Sequence, residues 1–331
     1  MTLLRVLPAV LLLVAGGSWL AGPLRWRVEG LSMAPGLMPG EIAASDWFPA
    51  LNRWRAPSRL ERWTLVEPGG AVAVKRVWAL PGEEIAILDG DLLVDGAVVV
   101  KPPAVLAELA LPVPHAVGQR TTTRVRITIA EPVFDDVPFA PDERRLLAPV
   151  RDVGIAAVVN ASLGRDAPLV EVRVGDHLAS VHLPTAGRFA VVAGRLDGCF
   201  VAGAWPLRDA PGAVGGAVVP RGGPAVWGLG TPWNGSAPAT TCTVAVGGES
   251  ESLDVRIESV AAWRDMHALS PASGKTQWRL GDAECYVLGD FPGGSRDSRH
   301  WGPIDVSRLR NRVAMRRSPR PSVVVSGSPN W

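Results

Sequence analysis

Lysine is nearly absent from this chain. Its 331 residues include three, Lys75, Lys101 and Lys275, and arginine supplies almost all the other positive charge. Only an amine can shed its proton at working pH, so these three are the candidates for a lysine base. Excess charge is absent too. A formal net charge of +2 offers no basic field to neutralise phosphates, which argues against a nucleic-acid partner. The three cysteines, Cys199, Cys242 and Cys285, form no Cys-x-x-Cys pair and have no histidine at ligand spacing. A zinc site is therefore not expected, and neither is a cofactor. An odd count permits one disulfide at most, and both a Cys199–Cys242 pair and three buried thiols stay open. A serine–histidine–aspartate site also lacks support. None of the five histidines sits in a triad motif. Ser32 fails the G-x-S-x-G elbow because position 34 is Ala.

One long apolar run is present. Val6 to Leu24 carries no charged residue, and about 19 residues at roughly 1.5 Å each give about 28 Å, close to a bilayer core. Arg5 precedes it, Arg25 and Arg27 follow it, and Trp19 and Trp26 stand near its outer end. The run reads as a membrane anchor. A cleaved signal peptide ending near Leu20-Ala21-Gly22 is the rival.

Proline and glycine are plentiful, at 30 and 36 residues, which favours turns and short strands over long helices. Val28 to Glu41 is rich in turn residues, and Ala71 to Trp78 alternates as a strand does. Ile85–Leu88, Leu92–Val94 and Val98–Val100 are apolar runs separated by Asp89-Gly90 and Asp95-Gly96. Asp-Gly between apolar runs predicts tight hairpins, so residues 71–100 read as an antiparallel meander. From about 105 to 275, short β-branched runs recur between turn signals: Arg124–Ile129, Val153–Val159, Leu169–Val174, Phe189–Val192, Thr240–Val246 and Leu253–Ile257. That spacing predicts a β-sandwich. Residues 317–331 read as a loose Ser/Pro-rich tail.

Three segments carry chemistry. The first is Gly30-Leu31-Ser32-Met33-Ala34-Pro35-Gly36-Leu37-Met38-Pro39-Gly40-Glu41. The second runs from Val74-Lys75-Arg76-Val77 to Leu80-Pro81-Gly82-Glu83. The third is Gly289-Asp290-Phe291-Pro292-Gly293-Gly294-Ser295-Arg296-Asp297-Ser298-Arg299-His300-Trp301-Gly302. A serine hydroxyl needs a neighbouring base to become a nucleophile. Without a histidine the alternative is lysine, which works only where desolvation lowers its pKa. At period two, Ala71, Ala73, Lys75 and Val77 share a strand face, offering Lys75 little water and no counter-ion. Ser295, Asp297, Ser298 and Arg299 form a polar loop able to orient an amine, with an Asp–Arg pair to stiffen it.

In order and wording the three segments resemble the bacterial signal peptidase I family. That family shows a Ser-Met-x-Pro-Thr-Leu-x-x-Gly-Asp box, a Lys-Arg-Val box ending Leu-Pro-Gly-Asp, and a Gly-Asp-Asn box finishing Ser-x-Asp-Ser-Arg-x-Trp-Gly. The resemblance implies Ser32 as nucleophile and Lys75 as general base. It implies that Ser295 orients the Lys75 amine, and that Asp297 and Arg299 brace the loop. The Ser32 backbone N–H would donate to the oxyanion. Gly30, Leu31, Met33, Val72, Ala73 and Val74 would line the substrate, with Val72–Val74 pairing to it by strand addition. Gly30 stands where some members have a serine hydroxyl as second oxyanion donor. Gly36, Glu41, Phe291 and Gly294 depart from the pattern, and the last two put the positioning of the third loop in question.

The expected fold is mainly β: a signal-peptidase-type catalytic β-fold, an inserted β-sandwich-like domain and one N-terminal transmembrane helix. The division is an anchor at 1–24, catalytic parts at 25–104 and 276–316, the insert at 105–275 and the tail at 317–331. This layout is similar to that of large planctomycete-type signal peptidase-like proteins. The implied protein is a single-pass serine endopeptidase of the cell (inner) membrane with its catalytic domain on the extracytoplasmic side. It would cleave signal peptides from exported preproteins, with membrane lipid as its other partner and room for a ligand of the insert. A cytosolic self-cleaving repressor-like peptidase uses the same chemistry but lacks an anchor. A non-catalytic binding protein on a decayed peptidase frame is the alternative from a different class.

Overall fold

A computed structural model describes residues 23–46, 55–113, 116–120, 124–129, 132–136, 139–140, 144–162, 168–207, 224, 226–233, 241–247 and 255–317. The anchor expected at 1–24 lies almost wholly outside these residues, and so does the tail from 318. Among the described residues no helix is long and apolar enough to cross a membrane. Strands hold 50% of the residues and helices 8%, so the protein is mainly β.

The chain divides into two compact units. The first comprises Met1–Ile87, Leu93–Gly96 and Leu269–Trp331; the second comprises Leu88–Leu92 and Ala97–Ala268. The first unit is built on a seven-stranded antiparallel sheet. Its order is Arg25–Arg27, Ile42–Ser45, Leu309–Arg317, Arg62–Val66, Val72–Ala79, Glu284–Leu288 and Ile304–Asp305. The two ends of the chain thus alternate within one sheet. Trp63, Leu65, Val77, Cys285, Val287, Ile304 and Leu309 pack into one core cluster, and Met33, Leu37, Ala43 and Val313 into another. Each large apolar side chain buried this way contributes about 1.5–3 kcal/mol.

The meander expected over 71–100 forms only in its later part: Glu84–Leu88, Asp91–Val94 and Ala97–Val98 lie side by side in a four-stranded sheet with Gln277–Arg279, whereas Val72–Ala79 joins the seven-stranded sheet. Asp89 and Gly90 have φ of 51° and 92°, and Asp95 and Gly96 have 50° and 79°. Paired positive φ values are those of a type I′ hairpin turn, which Asp-Gly adopts at little steric cost.

The second unit holds a five-stranded and a six-stranded antiparallel sheet. Val125, Ile127, Val170, Val172 and Val244 from the first meet Val153, Ile155, Val191 and Phe200 from the second in one core cluster, so the two sheets pack as a sandwich. A short helix, Pro103–Leu109, was not foreseen. Its Leu106 and Ala107 pack with Ala156, Val192, Trp205 and Trp263 on the other face of the six-stranded sheet. That second cover explains why Gly187–Leu196 is buried at almost every position rather than at every other one. All three cysteines are free thiols, and burial pushes the Cys242 thiol up to about 12.

Candidate functional site

Lys75 lies on the Val72–Ala79 strand, opposite Trp63 of the neighbouring strand. It is 2% exposed. Burial pushes its ammonium below the ordinary lysine range. Asp297, Glu67 and Asp290 pull it back up, while Arg299 pushes it further down. Its Nζ donates to Ser295 Oγ at 3.1 Å. The absence of a counter-ion expected from the strand pattern is corrected here, because Glu67 Oε1 stands 3.9 Å from Nζ. Glu67 stands across the hairpin turn from Ala71, its N–H donating to the Ala71 carbonyl, so the turn brings it to the Lys75 side.

Arg76, next along the strand, faces a carboxylate of the third segment. Its Nε and Nη2 donate to Asp290 Oδ1 and Oδ2 at 2.8 and 2.6 Å, and its Nη1 donates to the Leu60 carbonyl at 2.9 Å. Both side chains are buried. Removing one partner of such a pair costs about 3–5 kcal/mol, because the other charge is left uncompensated. This clamp between the second and third segments was not assigned from sequence. The signal was there, since an arginine inside a buried strand requires a carboxylate.

The third segment folds as a cap. Asp297 is the N-cap of a one-turn helix, Ser298–Trp301, and its carboxylate accepts from the Arg299 N–H at 3.3 Å and the Gly289 N–H at 3.0 Å. Arg299 Nε and Nη2 reach the two oxygens of Asp297 at 2.8 Å each. Burial alone would raise the Asp297 carboxyl, but hydrogen bonds from Arg299 and Gly289 hold it well below the usual carboxylate range. We assign the larger part to Arg299. His300 Nδ1 accepts from the Asp297 amide at 3.3 Å and stands 3.8 Å from the carboxylate. Arg299 Nη2 also donates to the carbonyls of Pro292 (2.8 Å) and Ser295 (3.3 Å), which ties down the backbone that carries Ser295.

Ser32 is half-buried in the turn that follows the first strand, and its carbonyl accepts from the Phe291 N–H at 3.1 Å. A Cβ placed on Gly289 would meet Ser295 Oγ at 2.2 Å and the Ser32 carbonyl at 2.4 Å. Gly289 is thus the close approach at which the first and third segments meet, and no side chain fits there. Glu41, one of the departures from the family wording, closes the far end of the Ser32 turn: its Oε2 accepts from the Met38 N–H at 3.0 Å.

The remaining candidates divide by exposure. Met33 sits in the core at 2% exposed, so its backbone is what it can offer a substrate. Gly30 is exposed, and Leu31, Ala73 and Val74 are half-buried. Val72 is 67% exposed. Residues 72–76 pair along one side with Val66 to Arg62. On the other side the Glu284–Leu288 strand takes up only at Arg76, facing Leu288. Among the described residues, Val72 to Lys75 therefore have no strand partner on that side.

One acidic grouping among the described residues has the geometry to hold a metal ion. Carboxylate oxygens of Asp91, Asp152 and Asp197, in the second unit, lie within 4.8 Å of one another. Lys101 is buried between Asp197 and Asp265, with Asp265 Oδ2 at 2.7 Å, and Arg195 Nε stands 3.1 Å from Asp152. Burial pushes Asp91 and Asp152 up to about 6.

The family described as signal peptidase, peptidase S26, matches residues 1–118. The matched stretch includes the segments of Ser32 and Lys75 and ends before that of Ser295. No curated protein matches the chain.

Proposed function

We infer from residues 1–118, which match the family described as signal peptidase, peptidase S26, that this protein is a membrane-anchored serine endopeptidase that removes signal peptides from exported preproteins. Ser32 is the nucleophile and Lys75 the general base. The observation that carries this reading is the desolvated Lys75 amine, 2% exposed and hydrogen-bonded to Ser295 Oγ at 3.1 Å. An amine in that setting can be neutral near physiological pH and accept a proton. The second segment supplies the base, the first the nucleophile and the third the group that orients the base.

In this mechanism neutral Lys75 takes the Ser32 hydroxyl proton as Oγ attacks the scissile carbonyl carbon. The oxyanion accepts from the Ser32 backbone N–H. The Lys75 ammonium returns the proton to the leaving amine as the peptide C–N bond breaks, leaving an acyl-Ser32 ester. Lys75 next takes a proton from water as that water attacks the ester, and the proton passes to Ser32 Oγ as the acid leaves. Ser295 keeps the amine aimed, and the Asp297–Arg299 pair keeps Ser295 in place. Val72–Val74, open on one side, receive the substrate backbone as an added strand, with Gly30 and Leu31 beside the scissile bond. The segment 1–24, with its apolar run from Val6 to Leu24, anchors the chain in the cell membrane, with the body on the extracytoplasmic side.

Turnover of a fluorogenic signal-peptide substrate tests the assignment. Ser32→Ala, Lys75→Ala and Lys75→Arg are each expected to lower kcat/KM by more than about a thousandfold. Arginine fails because guanidinium does not deprotonate. Substantial turnover in Lys75→Arg would exclude Lys75 as base. A penem-type acylating probe should label wild type at Ser32, and absence of labelling would favour a non-catalytic binding role.

A further inference from the structure

Charge reaches Lys75 from two elements. From the third segment come Asp297, Arg299 and Asp290, and from the turn after the Arg62–Val66 strand comes Glu67. The two aspartates are already engaged. Asp297 holds Arg299 through both oxygens, and Asp290 holds Arg76 the same way. Glu67 differs. Among the described residues its carboxylate has no ion-pair partner other than Lys75, at 3.9 Å. Its backbone is fixed by the hairpin, since its N–H donates to the Ala71 carbonyl at 2.8 Å and its carbonyl accepts from Gly70 at 2.9 Å; the same carbonyl accepts from Arg308 Nη1 at 3.2 Å, so that guanidinium is the cation bound at this turn, through the backbone and not through the carboxylate. Its side chain keeps 23% of its exposure against 3% for Lys75. The buried amine therefore has one uncommitted negative charge beside it, at the solvent edge.

We propose that Glu67 is a positioning residue that sets the pH at which Lys75 loses its proton. Its consequence for the reaction rests on Lys75 being the base. An ionised Glu67 stabilises the ammonium and so delays its deprotonation to higher pH. The same charge stabilises the ammonium that forms each time Lys75 takes the proton of Ser32 or of water. At 3.9 Å, part-exposed, the carboxylate acts through space, and an opposite charge at such a distance shifts a titration by about one unit or more. Neutralising Glu67 should therefore lower the Lys75 titration, and the acid limb of kcat/KM should move to lower pH with it.

The low lysine count makes this directly measurable. In the full-length protein in detergent, lysines labelled with ¹³C at Cε give three signals, one for each lysine, and the signal lost in Lys75→Met identifies Lys75. Titration of wild type, Glu67→Gln and Glu67→Asp follows. The Lys75 midpoint is expected about one pH unit lower in Glu67→Gln and nearer wild type in Glu67→Asp. A midpoint unchanged in Glu67→Gln overturns the proposal. Fluorogenic peptide turnover, measured across the same pH range, separates this from the peptidase reading. If the midpoint moves but none of the three proteins cleaves peptide, the Glu67–Lys75 coupling stands and the peptidase reading fails. If all cleave with coincident acid limbs, the coupling fails and the peptidase reading stands.

Discussion

Phe291 and Gly294 share one volume. A Cβ on Gly294 would stand 2.6 Å from Phe291 Cε1, and Phe291 is 5% exposed while its N–H holds the Ser32 carbonyl. Both positions depart from the family wording, and read singly each puts the third loop in doubt. Packed together they compensate, because a ring on one side requires the missing side chain on the other. A double-mutant cycle tests this. Gly294→Asn should clash, and Phe291→Asn should leave a void under the loop that carries Ser295. The double variant should then recover kcat to at least about threefold above the product of the single effects, a coupling of about 0.65 kcal/mol or more. Strictly additive effects on kcat and on melting temperature would show that the two positions are independent.

The Val72–Ala79 strand changes role halfway along. At Arg76 the ladder passes from one neighbour to the other: among the described residues Val72 to Lys75 pair only with the Arg62–Val66 strand, Arg76 pairs on both sides, and beyond it the partner is the Glu284–Leu288 strand. The open half carries exposed Val72, and the closed half carries the buried Arg76 clamp. A substrate added to the open half bonds through backbone groups that alternate in direction at period two. Single N-methyl groups walked along a peptide substrate should therefore raise KM strongly at alternate positions and little at those between. A flat response to the methyl scan would argue against strand addition at this edge. The sandwich elements were legible for a related reason. Arg124–Ile129 and Leu169–Val174 form to the residue, and the former alternates exposed and buried throughout. The helix Pro103–Leu109 was not legible, because seven residues are too few to show a 3.6-residue period.

At the scale of the molecule, the second unit holds its own two-sheet core, while every residue assigned to the chemistry lies in the first. The helix Pro103–Leu109 covers the other face of that unit's six-stranded sheet and belongs with it. Replacing residues 101–268 with a short Gly/Ser linker should accordingly leave a folded protein that still cleaves a short model signal peptide. Whole preproteins should suffer if the second unit recruits them. A shortened protein that melts cooperatively yet has lost all peptide turnover would show that the second unit helps build the site.

The sequence by itself determined the chemistry on offer: a serine without a histidine partner, three lysines, and a polar loop of Ser295, Asp297 and Arg299. It also determined the β character, through period-two runs and Asp-Gly turns whose signals are local. The tertiary structure alone decided what those groups become. Lys75 and Ser295 are 220 positions apart, and the Arg76–Asp290 clamp, the Gly289 approach and the charge of Glu67 all depend on which strands lie side by side. A protonation state follows from desolvation and from charges within a few ångströms. Those are properties of neighbours in space, which the order of residues along the chain does not state.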